Sequence, residues 1–172
     1  MSKVESINEL ERDLFHADDA GTSSDPVAAR KKAMDYLARR EYGKQELVHK
    51  LAAAGFEATV AGAAVDKLAD EGLQDDRRFI ESFLQSRISQ GKGPLRIRQE
   101  LGERHLNPST IEEAFANASE DWFTLAEKVR VKKFGPGLPR EFRDKARQMR
   151  FLQYRGFESA HIHAAVSPRG ED

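Results

Sequence analysis

Apolar side chains recur along this chain at the three- and four-residue spacing of helices buried on one face. Val27, Ala33, Met34, Leu37 and Ala38 form one such stripe, following Asp25-Pro26, an N-cap with proline at the first helical position. Leu47, Val48 and Leu51 form a second after Gly43, with Glu46 placed to reach back and cap. Val60, Ala61, Val65 and Leu68 form a third, which Gly72 ends. No stretch alternates apolar and polar residues long enough to predict a strand.

The layout then returns. Gly55-Phe56, His105-Leu106 and Gly156-Phe157 mark equivalent turns 50 and 51 residues apart. Leu51, Leu101 and Leu152 precede the markers by four positions. Ala61, Ile111 and Ile162 follow by six, and Val65, Phe115 and Val166 by ten. The threefold match predicts an all-α chain of three tandem three-helix repeats, 26–73, 74–118 and 119–167, in an elongated, curved array. The second repeat has helices near 75–89, 94–105 and 108–118, the last opened by Asn107-Pro108. The third has them near 120–133, 139–154 and 158–166, with Trp122, Leu125, Ala126 and Val129 facing inward in the first. His105 stands where the other repeats carry glycine, a change expected to tilt the helix after it. Residues 168–172 read as a frayed end.

The stretch from Glu71 to Leu101 is the most specific. Asp75 and Asp76 place negative charge at a helix start, where the helix dipole is positive. Phe79, Ile80, Phe83, Leu84 and Ile88 then follow at helical spacing, Gly91-Lys92-Gly93 breaks the pattern, and Pro94 reopens it. The run Gly72-Leu73-Gln74-Asp75-Asp76-Arg77-Arg78-Phe79, the Arg87 before the glycine turn, and Arg96-Ile97-Arg98-Gln99-Glu100-Leu101 resemble the RecX regulatory proteins of bacteria, from about Val27 to Val166. The resemblance implies a partner, the RecA recombinase and its filament on single-stranded DNA. It implies inhibition of filament growth, RecA ATP hydrolysis and strand exchange, which damps recombinational repair and the SOS response. The expected partners are RecA, its filament and, weakly, single- or double-stranded DNA directly; the chain is expected to be a cytoplasmic monomer with no cofactor of its own.

Charge changes the picture in two places. Residues 1–25 carry two basic and seven acidic side chains, net −5, so the remainder holds 26 basic against 22 acidic, net +4. The first 25 residues read as a flexible acidic extension whose one stripe, Ile7, Leu10, Leu14 and Phe15, is too short for a stable isolated helix. Residues 128–155 hold ten basic and two acidic side chains, net +8. On a helix over 139–154, Phe142, Ala146, Met149 and Leu152 read as the buried side. Relative to Phe142, Arg150, Arg143, Arg147 and Arg140 fall at about 80°, 100°, 140° and 160°, with Tyr154 at about 120°. Phe151, near 180°, is expected to pack on the neighbouring repeat. Candidate contacts to RecA or DNA are therefore Lys132, Lys133, Arg140, Arg143, Arg147, Arg150 and Tyr154, joined by Arg87, Lys92, Arg96 and Arg98 around the glycine turn. Arg87 points along the apolar stripe, where it can meet the last carbonyls of its helix, Glu100 or Glu103, or hold the turn in shape for a partner.

No catalytic constellation is visible. His161 and His163 diverge by about 200° on a helix and cannot share a metal. Cysteine is absent, and Gly91-Lys92-Gly93 lacks the strand and spacing of a phosphate loop. No apolar run approaches a membrane span, and no signal peptide is visible at the start. The alternative to a RecA regulator is a RecA-independent DNA-binding protein, since three-helix units can resemble helix-turn-helix modules. Deleting residues 1–25 should raise affinity for polyanions at low salt, measured as retention on heparin. Unchanged retention would mean that the acidic extension does not screen the basic faces.

Overall fold

The computed structural model describes residues 22–168. The Ile7–Phe15 stripe and residues 169–172 lie outside them. Among the described residues there are nine helices: α1 (Pro26–Leu37), α2 (Lys44–Ala53), α3 (Ala58–Asp70), α4 (Asp76–Ser89), α5 (Pro94–Gly102), α6 (Pro108–Ala118), α7 (Trp122–Phe134), α8 (Phe142–Arg155) and α9 (Ser159–Val166). One isolated bridge, Ser23 with Phe56, is the sole β-type pairing among them. The chain divides into two compact units, the first ending at Asp75 and the second beginning at Asp76.

In the first unit α3 packs on both α1 and α2. Asp25 caps α1, its Oδ1 accepting from the N–H groups of Val27 and Ala28 at 3.0 and 3.3 Å. The inward face of α1 is built from Ala29 and Ala33, with Tyr36 and Leu37 beside them. The stripe read from sequence is thus rotated: Val27 is 78% exposed and Met34 is also largely outside. Alanines at the contact admit close helix approach, and Leu47, Leu51, Val65 and Leu68 fill the space beyond. Glu46, in the first turn of α2, pairs with Arg40 at 2.5 Å. Ser23 is tied into the body as well, its N–H donating to the Gly55 carbonyl at 2.6 Å. Ser23 to Asp25, read from sequence as part of a flexible stretch, are thus held against the body.

The second unit holds two three-helix groups, each with its own core. Phe79, Ile80, Phe83 and Leu84 of α4 meet Ile97, Leu101, Ile111 and Phe115. Ala126 and Val129 of α7 meet Leu152, Phe157, Ile162 and Val166. Trp122 packs against both clusters. The repeat-equivalent positions Leu51, Leu101 and Leu152 are all buried, as are Ala61, Ile111 and Ile162. His105 adopts φ 55°, the left-handed backbone that Gly55 and Gly156 supply in the other repeats. The turn geometry is kept without glycine, at the steric cost of a Cβ. His161 is buried; its Nδ1 accepts from the Glu158 N–H at 3.2 Å, and its ring lies edge-on to Phe123.

The two groups are joined backbone to backbone. The Gly93 N–H donates to the Arg155 carbonyl at 2.8 Å, and the Leu95 N–H to the Gly156 carbonyl at 3.0 Å. A Cβ at Gly93 would overlap the Gly156 carbonyl and the Phe157 nitrogen, and one at Gly156 would overlap Arg96. Gly93 has φ −82°, which any residue adopts, so the close approach alone demands glycine there. Gly93→Ala should therefore lower stability by about 1–3 kcal/mol, the usual cost of overpacking. Gly102→Ala, where a methyl meets no atom within 4 Å, should not. Urea unfolding of both variants checks this, and equal midpoints would show that the joint yields without cost.

Candidate functional site

The basic residues of the second unit separate into those engaged internally and those that face outward. Glu100, on α5, collects the first set. Arg87 Nε lies 3.1 Å from its Oε2 and Lys92 Nζ 2.9 Å from its Oε1, with Arg96 Nε at 3.9 Å. Arg87 also stacks its guanidinium 4.0 Å from the Phe83 ring centroid. Of the roles open to Arg87, the bond to Glu100 is the one formed, and it ties the end of α4 to α5 across the glycine turn. Arg98 grips Glu112 with two nitrogens, at 2.9 and 3.3 Å, and lies 4.2 Å from the Phe115 ring centroid. Arg87, Lys92 and Arg98 thus hold α4, α5 and α6 together. Arg96 reaches across the joint, donating to the Tyr154 carbonyl at 3.3 Å.

Arg130 is a basic residue that composition counts but the fold withdraws. It is 2% exposed, and its Nη1 donates to the Gly137 carbonyl at 3.0 Å and to Gln148 Oε1 at 3.4 Å. Its guanidinium shapes the turn between α7 and α8 from inside, where a buried charge is tolerated because carbonyls accept from it.

The outward set centres on α8. Its buried residues are Gln148 and Leu152, at about 240° and 280° from Phe142 on the helix wheel. Arg143, Arg150 and Tyr154 occupy the opposite side and are exposed, Tyr154 by 74%. Arg147 shares this side, paired with Asp144 at 3.1 Å and 5.3 Å from the Phe134 ring centroid. Two expectations change. The helix begins at Phe142 instead of Pro139, so Arg140 is an exposed residue of the preceding turn. Phe142 is 88% exposed and belongs beside the arginines, not in the core. It sits in the first turn of α8, past the reach of the α7 and α9 side chains that cover Leu152. Arg143 and Arg150 have no ion pair among the described residues.

Beside this face, α5 and the ends of α8 and α9 enclose a cleft of about 400 Å³, lined by Leu95, Arg96, Met149 and Tyr154 among others. Leu95 is half exposed there. Lys132 and Lys133 lie on the exposed side of α7. Phe151 packs within its own three-helix group, edge-on to Phe134 at 5.3 Å, and Lys133 Nζ stands 5.8 Å from its centroid. Arg155, absent from the sequence candidates, clasps the α4–α5 turn, Nε donating to the Gly91 carbonyl at 3.3 Å and Nη2 to that of Gln90. Nothing in the local sequence signals that reach, because its partners lie 64 and 65 positions away.

Comparison with known proteins covers the same ground. Family models described as the first, second and third three-helix domains of RecX match residues 29–68, 75–114 and 119–166. The chain is 44% identical to the regulatory protein RecX of Pseudomonas savastanoi pv. phaseolicola, over 86% of this chain and 95% of that one. It is 41% identical to the regulatory protein RecX of Halorhodospira halophila, over 90% and 94%. A crystal structure of RecX from Lactobacillus salivarius superposes with a TM-score of 0.64 at 21% identity, covering 82% of this chain and 94% of that one. Another crystal structure of a regulatory protein RecX gives 0.68 at 23%, covering 81% and 70%.

The Glu100 cluster makes stability depend on pH. Burial alone would raise its carboxyl, but the hydrogen bonds and charges of Lys92 and Arg87 outweigh it and hold the pKa below the ordinary glutamate value. A depressed folded-state pKa contributes stability that is fully present above the unfolded value, about 4.3, and is lost as pH falls through the folded one. Glu100→Gln should therefore be less stable than wild type at neutral pH and converge with it in acid. Urea midpoints across a pH series check this; two parallel curves would remove Glu100 from the linkage.

Proposed function

The chain belongs to the RecX family, and we propose that it is a regulatory protein that binds RecA and the RecA–single-stranded DNA filament. There it inhibits filament growth, RecA ATP hydrolysis and strand exchange, and so damps recombinational repair and the SOS response. It performs no chemistry of its own; ATP belongs to the partner. Its three-helix modules, 26–73, 74–118 and 119–167, act as a monomer in the cytoplasm. Among the described residues no helix is long and apolar enough to cross a membrane.

The observation that supports this mode of action is the outer face of α8. Arg143 and Arg150 carry no internal ion pair, and Phe142 and Tyr154 stand exposed beside them. Exposed aromatics among arginines are the composition of a protein-interface anchor, since both are enriched where binding energy concentrates. Internal carboxylates occupy Arg87, Lys92 and Arg98, which leaves those three as supports for the surface. Arginine forks match acidic side chains of a filament or the phosphates it carries.

Substoichiometric protein should lower the rate of ATP hydrolysis by RecA on single-stranded DNA. An Arg143→Glu, Arg150→Glu variant should retain its helical circular dichroism, because neither side chain is buried. It should inhibit about tenfold less well, equivalent to about 1.4 kcal/mol of binding. A folded variant that inhibits like the wild type would show the α8 face to be solvated surface. No inhibition by the wild type would overturn the partner itself.

A further inference from the structure

Within the first unit, α1 and α3 enclose an open groove of about 500 Å³. Pro26 and Val27 of α1 form one wall, and Val60, Ala63 and Ala64 of α3 form the other. Val27 stands exposed over it. Arg30 and Lys67 line the groove, and no carboxylate does. Glu71 holds Arg30 through two nitrogens, at 3.2 and 2.6 Å. Lys67 is exposed and makes no ion pair among the described residues. Along α3 the groove runs from Thr59 to Lys67, about 12 Å of helix. The chain arrives at one end of it. The Ser23 N–H donates to the Gly55 carbonyl at 2.6 Å, and the Glu57 N–H donates to the Ser23 carbonyl at 2.9 Å, which pins Ser23 beside the start of α3.

We infer that this groove is the docking site of the chain's own segment Ile7–Phe15, bound as a short helix across α1 and α3. On a helix, with Ile7 at zero, Leu10, Leu14 and Phe15 fall at about −60°, −20° and 80°, one apolar arc of the width that a buried face needs. Ile7 to Phe15 rises about 12 Å, the length of the groove. Such a stripe forms no stable helix alone, so a helix there draws its stability from the surface it covers. Glu11 falls at about 40°, inside the apolar arc, where a charge needs a partner. Lys67 is the cation of the groove that lacks one. The overall sign matches too, since residues 1–21 hold six acidic and two basic side chains, net −4. Eight residues lead from Phe15 to Ser23 and reach about 26 Å when extended, enough to lay the helix along the groove in either direction. A tether that short gives an effective concentration on the order of millimolar. The contact that a groove of this length offers falls short of the roughly 800 Å² per partner of a stable interface, so a tethered segment suits it better than a second copy. The contact lies within the first unit and forms whether or not RecA is the partner.

Hydrogen–deuterium exchange of the full chain, resolved by peptide fragments, tests the docking. Amides of residues 11–15 should exchange about tenfold or more slower than in a free peptide of residues 1–21, because they open only when the contact does. Ala63→Glu places a carboxylate in the groove wall at an exposed position. It should abolish that protection while α3 itself stays protected. Lys67→Glu should cut the protection about threefold, the scale of a partly exposed ion pair, and adding Glu11→Lys to that variant should restore it. Dilution should leave the protection unchanged, as for any contact within one chain. Should Ala63→Glu fail to fold, the charge swap still decides. Exchange at the free-peptide rate, protection that survives Ala63→Glu, or no restoration by the charge swap would overturn the inference. So would protection that fades on dilution together with a dimer in light scattering, which would make a second copy the occupant.

Discussion

Gly93 and Gly156 meet with no side chain between them, and two amide hydrogen bonds cross that contact, from the N–H groups of Gly93 and Leu95 to the carbonyls of Arg155 and Gly156. The placement of Arg96 and Arg155 depends on it. The turn after α4 is held against the end of α8, so Arg155 can clasp the turn and Arg96 can reach Tyr154. Remove the close approach and the cleft beside it loses a wall. Backbone contact of this kind tolerates little give, because neither partner can rotate away as a side chain would.

Carboxylates then sort the cations. Glu100 takes Arg87 and Lys92, and Glu112 takes Arg98. These pairs are partly exposed, so each contributes modest stability, but each also cancels a charge that would otherwise face a partner. Arg130 is removed differently, by burial among carbonyls that accept from its Nη1 and Nη2 without neutralising it, while its Nε is left without a partner among the described residues. What is left over is directional: Arg143 and Arg150 on α8, and Lys128 and Lys132 on α7. A uniformly basic stretch of sequence becomes two separate outward surfaces with different neighbours, one bordered by Phe142 and Tyr154 and the other by Phe151.

Three-helix groups with separate cores suit a protein that acts by contact. Each group buries its own apolar face. Within the second unit the connection between groups is short and glycine-lined, so the surfaces of adjacent groups are placed against each other by the backbone.

The helical periodicity, the threefold marker and the Asp25 and Asn107 caps were legible in the residues, because burial of one face and satisfaction of end N–H groups are local demands. So was the outward direction of Arg143, Arg147, Arg150 and Tyr154, since all share one helix and their relative angles are fixed by its pitch. What local pattern could not settle is which arc of a helix meets a neighbour. Val27 and Phe142 are apolar and read as inward from the sequence, yet both are exposed, because the arcs that meet a neighbour are centred on Ala29 and Ala33 in α1 and on Gln148 and Leu152 in α8. Nor could it separate Arg130 from Arg143, or Arg87 from Arg150. The sign of a charge is written in the residue, whereas the carboxylate or carbonyl that engages it arrives from another helix, and only the tertiary structure brings the two together.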